Sequence, residues 1–244
     1  MSQETITKIC SNAQKLRLSH ITTNVNEMLD QAGKKMPSYD DFLLDILEGE
    51  IKIREEKQFI TRKKLAKLPM NHDLDKYDYS VSNGISVTQL KQLRELNWMD
   101  QCFNIMLSGP SGVGKTMIAA GLCHDALIKG YKGYFRSMES LLSMLRLKDI
   151  AASAGKEYKR LCSAQLIVID DLMNFSFEKE DGNSFFSFVN YIYESTSFII
   201  TTNRSPAQWA KTLNDDILAT ALLDRLLYKC QLIQLKGYDN NMIM

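Results

Sequence analysis

Eight consecutive residues of this chain have the types and spacing of a phosphate-binding loop. Residues 109–116, G-P-S-G-V-G-K-T, match the pattern G-x-x-x-x-G-K-[ST] and lie between an apolar run and a helix-forming segment. Glycines let successive backbone N–H groups turn toward a triphosphate, which also meets the positive end of the following helix. We expect Lys115 to reach the β- and γ-phosphates and the Thr116 hydroxyl to bind Mg²⁺. The predicted nucleotide contacts are Gly109, Pro110, Ser111, Gly112, Val113, Gly114, Lys115, Thr116 and Met117.

Two carboxylates follow an apolar segment about fifty residues later in the chain. The run Leu166-Ile167-Val168-Ile169 leads directly into Asp170 and Asp171. An uninterrupted apolar run is typical of a parallel strand buried on both faces, and α/β sheets bind ligands at the carboxyl ends of such strands. We expect Asp170 to hold Mg²⁺ through water and Asp171 to orient or deprotonate the attacking water. The alternative is that the two carboxylates only cap the next helix.

Strand and helix patterns alternate regularly around these motifs. The strands are predicted near residues 103–108, 133–137, 166–170, 197–202 and 231–235, with helices between them. This alternation predicts an α/β fold, a P-loop core in which a parallel sheet is covered by helices on both faces. We expect this ATPase-type domain to span residues 88–244. A small all-α domain is predicted for residues 1–70, and residues 71–87 are expected to be an extended polar linker.

The third predicted helix becomes basic toward its end. Ser38 and Asp41 have the spacing of a capping pair at its start, and the basic run 52–67 precedes Leu68 and Pro69. A dense local cationic excess is typical of a DNA-phosphate contact, although a solvated helix face is the alternative. The candidate DNA-binding residues are Arg62, Lys63, Lys64 and Lys67 here, and Arg146, Lys148, Lys156, Lys159 and Arg160 in the core.

Composition narrows the class of protein but does not select a partner. The formal net charge is only +1, so overall charge argues neither for nor against nucleic acid binding. The five cysteines form no C-x-x-C pair, and with three isolated histidines they suggest no metal site but reduced thiols in a cytosolic protein. The sequence shows no leader pattern and no apolar run of bilayer length, so we expect a soluble, cytoplasmic protein without membrane contact.

The order of these elements resembles the AAA+ ATPases of the DnaC/IstB group, and most of all the IstB-like transposition helper ATPases. The N-terminal similarity rests on Leu16-Arg17-Leu18, Glu50, residues 62–66 and residues 74–79. The resemblance implies an ATP hydrolase that binds ATP and Mg²⁺ and forms a homo-oligomer through ATP at subunit interfaces. It also implies assembly on double-stranded target DNA and recruitment of a cognate, IstA-like transposase.

The resemblance assigns two further residues to the reaction. Asn203 occupies the position of the sensor-1 residue, beside the γ-phosphate; an ordinary turn after the strand is the alternative. Arg225, in a segment similar to the family's A-I-L-D-R-L, corresponds to the arginine finger supplied to a neighbouring subunit's ATP. A salt bridge to Asp224 or Asp216 is its alternative role. With Lys115 and Asp171, these residues form the predicted catalytic set.

Two departures from the family pattern leave other functions open. Asp171 stands where many AAA+ enzymes have glutamate, and no arginine follows Arg225, although the family usually has a sensor-2 arginine near its end. One alternative function is a DnaC-like helicase loader. The other is a nucleotide-switched DNA-binding module with little turnover, which the missing arginine favours.

Overall fold

The computed structural model describes residues 2–79, 84–172, 179–205, 208, 209, 213 and 215–237. The chain divides into two units, Met1–Thr61 and Arg62–Met244. The boundary therefore falls inside the third helix. The functional division at residues 70 and 87 stays a prediction.

The first unit is helical, as predicted. It contains α1 (Gln3–Lys15), α2 (Ser19–Lys35) and the larger part of α3 (Tyr39–Ala66). The expected capping pair is present, because Ser38 Oγ accepts from the N–H of Asp41 at 3.3 Å and donates to its carboxylate at 2.6 Å. Glu50 of α3 is buried and accepts a 2.9 Å hydrogen bond from the N–H of Ile21, in the first turn of α2. This bond satisfies one of the N–H groups that a helix start leaves unpaired.

The second unit is built on a five-stranded parallel sheet, with the strand order β2-β3-β4-β1-β5. Its strands are β1 (Asn104–Ser108), β2 (Gly133–Ser137), β3 (Leu166–Asp170), β4 (Ser197–Thr202) and β5 (Cys230–Gln234). Its helices are α4 (Val87–Arg94), α5 (Lys115–Ile128), α6 (Met138–Leu147), α7 (Ala152–Leu161), α8 (Lys179–Ile192) and α9 (Asp216–Leu226). All the predicted strands are confirmed, with ends that agree within one residue.

Both faces of the sheet are covered by apolar side chains. One cluster includes Phe185, Phe188 and Trp209, and the other includes Leu90 and Ile118. Full burial of one such aliphatic or aromatic side chain contributes about 1.5–3 kcal/mol, so the two clusters hold the strands rigidly in register. This rigidity fixes the positions of the polar residues at the carboxyl ends of the strands.

The segment after α3 differs from the extended polar linker that we expected. Leu74, Tyr77 and Ile85 are buried in an apolar cluster of the second unit. Leu74 packs so closely on Gly121 of α5 that a β-carbon at residue 121 would collide with it. These three apolar residues, spaced among polar ones, pack the segment on the core. Residues 80–83 of the expected linker lie outside the described part. Among the described helices, none has the length and hydropathy needed to cross a bilayer.

Candidate nucleotide site

The glycine-rich loop connects β1 to α5. Gly114 has φ 93° and immediately precedes Lys115, the first residue of α5. Gly109 has φ 149°, and a β-carbon there would collide with the carbonyl of Leu235. Only glycine fits these two positions without strain, because other residues rarely adopt such φ values. The backbone of the loop is therefore curled in front of the N-terminus of α5, where an anion is favoured.

Lys115 is enclosed by the loop. Its Nζ donates to the carbonyl oxygens of Gly109 at 2.8 Å and Pro110 at 2.6 Å. Burial lowers the pKa of this ammonium group, and the nearby carboxylates of Asp171 and Asp170 act in the opposite direction. The loop thus holds the ammonium group of Lys115 near the carboxylates of Asp170 and Asp171.

The second motif meets the first at Thr116. Its hydroxyl donates to the Asp170 carboxylate, at 3.0 Å from Oδ1 and 3.2 Å from Oδ2. A hydroxyl and a carboxylate are hard oxygen donors, and Mg²⁺ is usually held by one or two protein oxygens together with substrate phosphates and water. In the described part of the chain, no cluster of three or more histidine, cysteine or acidic residues offers a competing metal site. This donor set fits Mg²⁺.

Thr201 of β4 connects the two aspartates, which the sequence did not lead us to expect. Its Oγ1 donates to Asp170 Oδ1 at 2.6 Å and accepts from the backbone N–H of Asp171 at 2.9 Å, and the residue is fully buried. Burial raises the pKa of Asp170, whereas the hydrogen bonds from Thr201 and Thr116 lower it. The signal available in the sequence was the pair of hydroxyl residues, Thr201 and Thr202, that follows the apolar residues of β4.

Asp171 lies at the rim of this arrangement. It is exposed and has φ 56°, in the left-handed region that aspartate and asparagine enter more readily than most residues. It lines a cleft of about 510 Å³ together with Ser111, Gly112, Gly114, Lys115, Thr116 and Met117. Residues 69–71, which no motif indicated, line the same cleft. The cleft is thus lined by the loop, by Asp171 and by the segment after α3.

The two residues assigned by resemblance differ in solvent exposure: Asn203 is exposed and Arg225 is half-buried. Asn203 follows β4 and is exposed. Arg225, on α9, donates from Nε to Asn190 Oδ1 at 3.1 Å, and its guanidinium carbon lies 5.4 Å from the Phe186 ring centroid and 5.8 Å from that of Tyr193. These contacts differ from the alternative role of Arg225, a salt bridge to Asp224 or Asp216. The roles of Asn203 and Arg225 in catalysis stay predictions. Residues 238–244, in the stretch where the family usually has its sensor-2 arginine, lie outside the described part.

The candidate DNA-binding residues differ in their surroundings. Lys63 and Lys64 are exposed near the end of α3, and Lys156 and Lys159 are exposed on α7. Other members of the set have acidic neighbours, with Lys67 3.1 Å from Glu157, Arg146 2.6 Å from Asp181 and Lys148 3.0 Å from Asp149. Arg62 and Arg160 are half-buried. A phosphate would have to compete with these intramolecular partners, so the exposed lysines are the stronger candidates.

A comparison with protein families shows to which family the chain belongs. The model of the family described as IstB-like ATP-binding protein matches residues 11–242. The chain belongs to this family. It is 43% identical over 230 residues, covering 94% of this chain and 88% of the relative, to an IS21-like putative ATP-binding protein of Bacteroides fragilis. It is 30% identical over 223 residues, covering 91% and 84% respectively, to the IS21 putative ATP-binding protein of Pseudomonas aeruginosa.

Comparison with solved structures supports the fold. The DnaC helicase loader superposes with a TM-score of 0.56 at 23% identity, over 68% of this chain and 98% of that one. This likeness shows the AAA+ fold. Family and fold together confirm the predicted IstB-like assignment, and the chain is an ATP-binding AAA+ ATPase.

Proposed function

We propose that this ATPase assembles on double-stranded target DNA when it binds ATP and Mg²⁺, and then recruits a transposase. One observation carries the proposal. The metal-site oxygens of Thr116 and Asp170 lie 3.0 Å apart beside the loop lysine, in a chain similar to ATP-binding proteins of insertion sequences. The relatives' association with insertion sequences favours a transposase as partner over a replicative helicase.

The nucleotide would be held and hydrolysed by residues of two subunits. Backbone N–H groups of the loop and Lys115 bind the phosphates, and Thr116 and Asp170 hold Mg²⁺. Asp171 then orients or deprotonates the attacking water, with Asn203 beside it. Arg225 of a neighbouring subunit completes the site, which makes homo-oligomer formation depend on ATP.

DNA contact would be linked to the nucleotide through the end of α3. Residues 62–64 lead within a few residues to Pro69, which lines the nucleotide cleft. Between them, the buried Arg136 donates to the carbonyls of Ala66 at 2.9 Å and Leu65 at 3.2 Å, and Glu157 accepts from its Nε at 2.6 Å. Because these hydrogen bonds attach the end of α3 to the core beside the cleft, DNA contact at residues 62–64 would act on the position of Pro69 in the cleft wall.

The DNA part of the proposal is tested by the salt dependence of binding. Replacing Arg62, Lys63 and Lys64 together with alanine should lower affinity and flatten the plot of log K against log salt by about 0.9 for each lost phosphate contact. The control replaces the exposed residues Lys15, Lys34 and Lys91 with alanine. An unchanged slope in the first variant would show that residues 62–64 are a solvated face.

The recruitment part is tested by capture on immobilised DNA. The cognate transposase should be retained only when this protein, ATP and Mg²⁺ are all present, and Lys115→Ala should abolish retention. Equal retention without ATP would contradict the proposal. Retention of a hexameric replicative helicase in place of the transposase would favour the loader function.

A further inference from the structure

The guanidinium of Arg225 lies against two aromatic rings of the helix that packs beside it. Its central carbon is 5.4 Å from the ring centroid of Phe186 and 5.8 Å from that of Tyr193, and its Nε donates to Asn190 Oδ1 at 3.1 Å. Tyr193 follows the last residue of α8 and still donates a helical hydrogen bond to the carbonyl of Val189 at 2.9 Å. The spacing i, i+4, i+7 therefore places all three partners on one face of α8, toward α9. We call Phe186 and Tyr193 the ring pair.

The partners of Arg225 are neutral, whereas other arginines of the same unit are held by carboxylates. Those ion pairs are Arg94–Asp125, Arg136–Glu157 and Arg146–Asp181. In the described part of the chain, no carboxylate lies within ion-pair distance of Arg225. Aromatic faces attract a cation without neutralising it. The charge of Arg225 is therefore available to an external anion, because no acidic partner has to be displaced first.

The hydrogen bonds of Arg225 leave part of its guanidinium unused. Nε bonds to Asn190, and Nη1 reaches the carbonyl of Ala221 only at 3.4 Å. The described residues offer no acceptor to Nη2. A guanidinium binds phosphate best through parallel N–H groups that reach two of its oxygens. Arg225 is half-buried and Asn190 is exposed, so the unused donors lie at a surface that a second subunit can approach.

The ring pair restricts a side chain that is otherwise highly flexible. An arginine that must be ordered during the reaction loses rotamer freedom at that moment, which weakens its effect on the transition state. A group fixed in advance avoids this loss. Tyr193 is itself held in place, since its hydroxyl donates to Glu194 Oε1 at 2.9 Å and its ring lies edge-on to that of Tyr228, with 6.3 Å between the centroids. The guanidinium thus rests on a ring with its own support.

We propose that Phe186 and Tyr193 are positioning residues for ATP hydrolysis. Their rings hold the guanidinium of Arg225 in the orientation in which it meets the phosphates bound by a neighbouring subunit. This inference rests on the proposed action of Arg225 across the subunit interface. It adds that the arginine is oriented within its own subunit before the two subunits meet. Loss of a ring should therefore slow hydrolysis without weakening the binding of ATP.

The test compares variants that remove a ring with variants that keep one. Phe186→Leu and Tyr193→Leu should each lower the DNA-stimulated kcat about 2–30-fold, the range that corresponds to cation–π energies, with the Kd for ATP unchanged in calorimetry. Tyr193→Phe keeps the ring and should retain the wild-type kcat. Tyr131→Leu is the matched control, because it removes a half-buried ring elsewhere in the same unit, and it should hydrolyse ATP normally.

Mixed oligomers show on which side of the interface the ring pair acts. Tyr193→Leu mixed with Lys115→Ala combines an intact phosphate loop with a well-positioned arginine at some interfaces, so turnover should rise above the mean of the two separate proteins. Tyr193→Leu mixed with Arg225→Ala offers no well-positioned arginine, and turnover should not exceed that mean. A rise in the second mixture would place the defect on the nucleotide side and overturn the positioning role.

Two outcomes separate this inference from the function on which it rests. If Arg225→Ala abolishes turnover while both leucine variants fold and keep the wild-type kcat, the positioning role is overturned and the action of Arg225 in trans stands. If Arg225→Ala keeps wild-type turnover, the action in trans fails, and the role of the ring pair fails with it. Circular dichroism and the melting temperature check folding. Should Phe186→Leu unfold at the assay temperature, the comparison of Tyr193→Leu with Tyr193→Phe decides.

Discussion

Thr201 donates a 2.6 Å hydrogen bond to the carboxylate of Asp170, and its hydroxyl oxygen also accepts from the N–H of Asp171 at 2.9 Å. One buried hydroxyl therefore fixes both the proposed Mg²⁺ ligand and the backbone of the residue proposed to activate water. Because burial alone raises the pKa of Asp170, the ionised form depends on the hydrogen bonds that it accepts.

Replacing Thr201 with valine should shift the acid limb of the ATPase pH profile to higher pH. The variant loses a hydrogen bond to a charged group, worth about 1.5–3 kcal/mol, so the pKa of Asp170 rises further above its ordinary value. Protons then displace Mg²⁺ at a higher pH, since a metal binds the ionised carboxylate. Thr201→Ser keeps the hydroxyl and should retain the wild-type limb. Identical profiles for the valine variant and the wild type would show that Thr201 does not set the charge of Asp170.

Removal of the loop lysine should weaken nucleotide binding. Lys115→Ala removes a charge-assisted contact to the phosphates and should cost about 1.5–3 kcal/mol of ATP affinity in titration calorimetry. Lys91→Ala, at an exposed lysine of α4, is the control and should bind ATP normally. Wild-type affinity in Lys115→Ala would exclude the loop as the phosphate site.

Two substitutions of Asp171 should separate the effect of its charge on hydrolysis from the effect of its backbone conformation on stability. Asparagine tolerates φ 56° well, so Asp171→Asn should bind ATP and unfold near the wild-type temperature, yet hydrolyse ATP about 100-fold more slowly and trap the DNA complex. Glutamate restores a carboxylate but enters the left-handed region at a cost of about 1–2 kcal/mol, so Asp171→Glu should melt earlier. Wild-type turnover in Asp171→Asn would show that Asp171 has only a structural role, such as capping the next helix.

Arg225 should act on the nucleotide of a neighbouring subunit. An arginine finger contributes about 10³–10⁵ in rate in phosphoryl transfer, so Arg225→Ala should abolish DNA-stimulated turnover while leaving ATP affinity intact. Mixing Arg225→Ala with Lys115→Ala pairs an intact loop with an intact arginine at some interfaces, and activity should partly return. No recovery in mixed oligomers that demonstrably form would instead assign Arg225 a structural role, through its contacts with Asn190, Phe186 and Tyr193.

The sequence alone determined the parts of this protein whose signals are local. Strand positions followed from apolar runs, because a central parallel strand is buried on both faces. The loop at residues 109–116 followed from its glycines, because few other residues adopt the required backbone. The pairing of Ser38 with Asp41 followed from their spacing at a helix start. In each case a few neighbouring residues define the structure.

Only the tertiary structure decided which distant residues meet. The strand order places β4 between β1 and β3, so Thr201 lies between the phosphate loop and the aspartates. Contacts of Arg225 with Asn190 and the packing of Leu74 on Gly121 likewise join positions far apart in the chain. Sequence periodicity predicts that a residue is buried or exposed, but it carries no information about which strand or helix lies alongside. That choice is made by packing of the whole sheet and its helices.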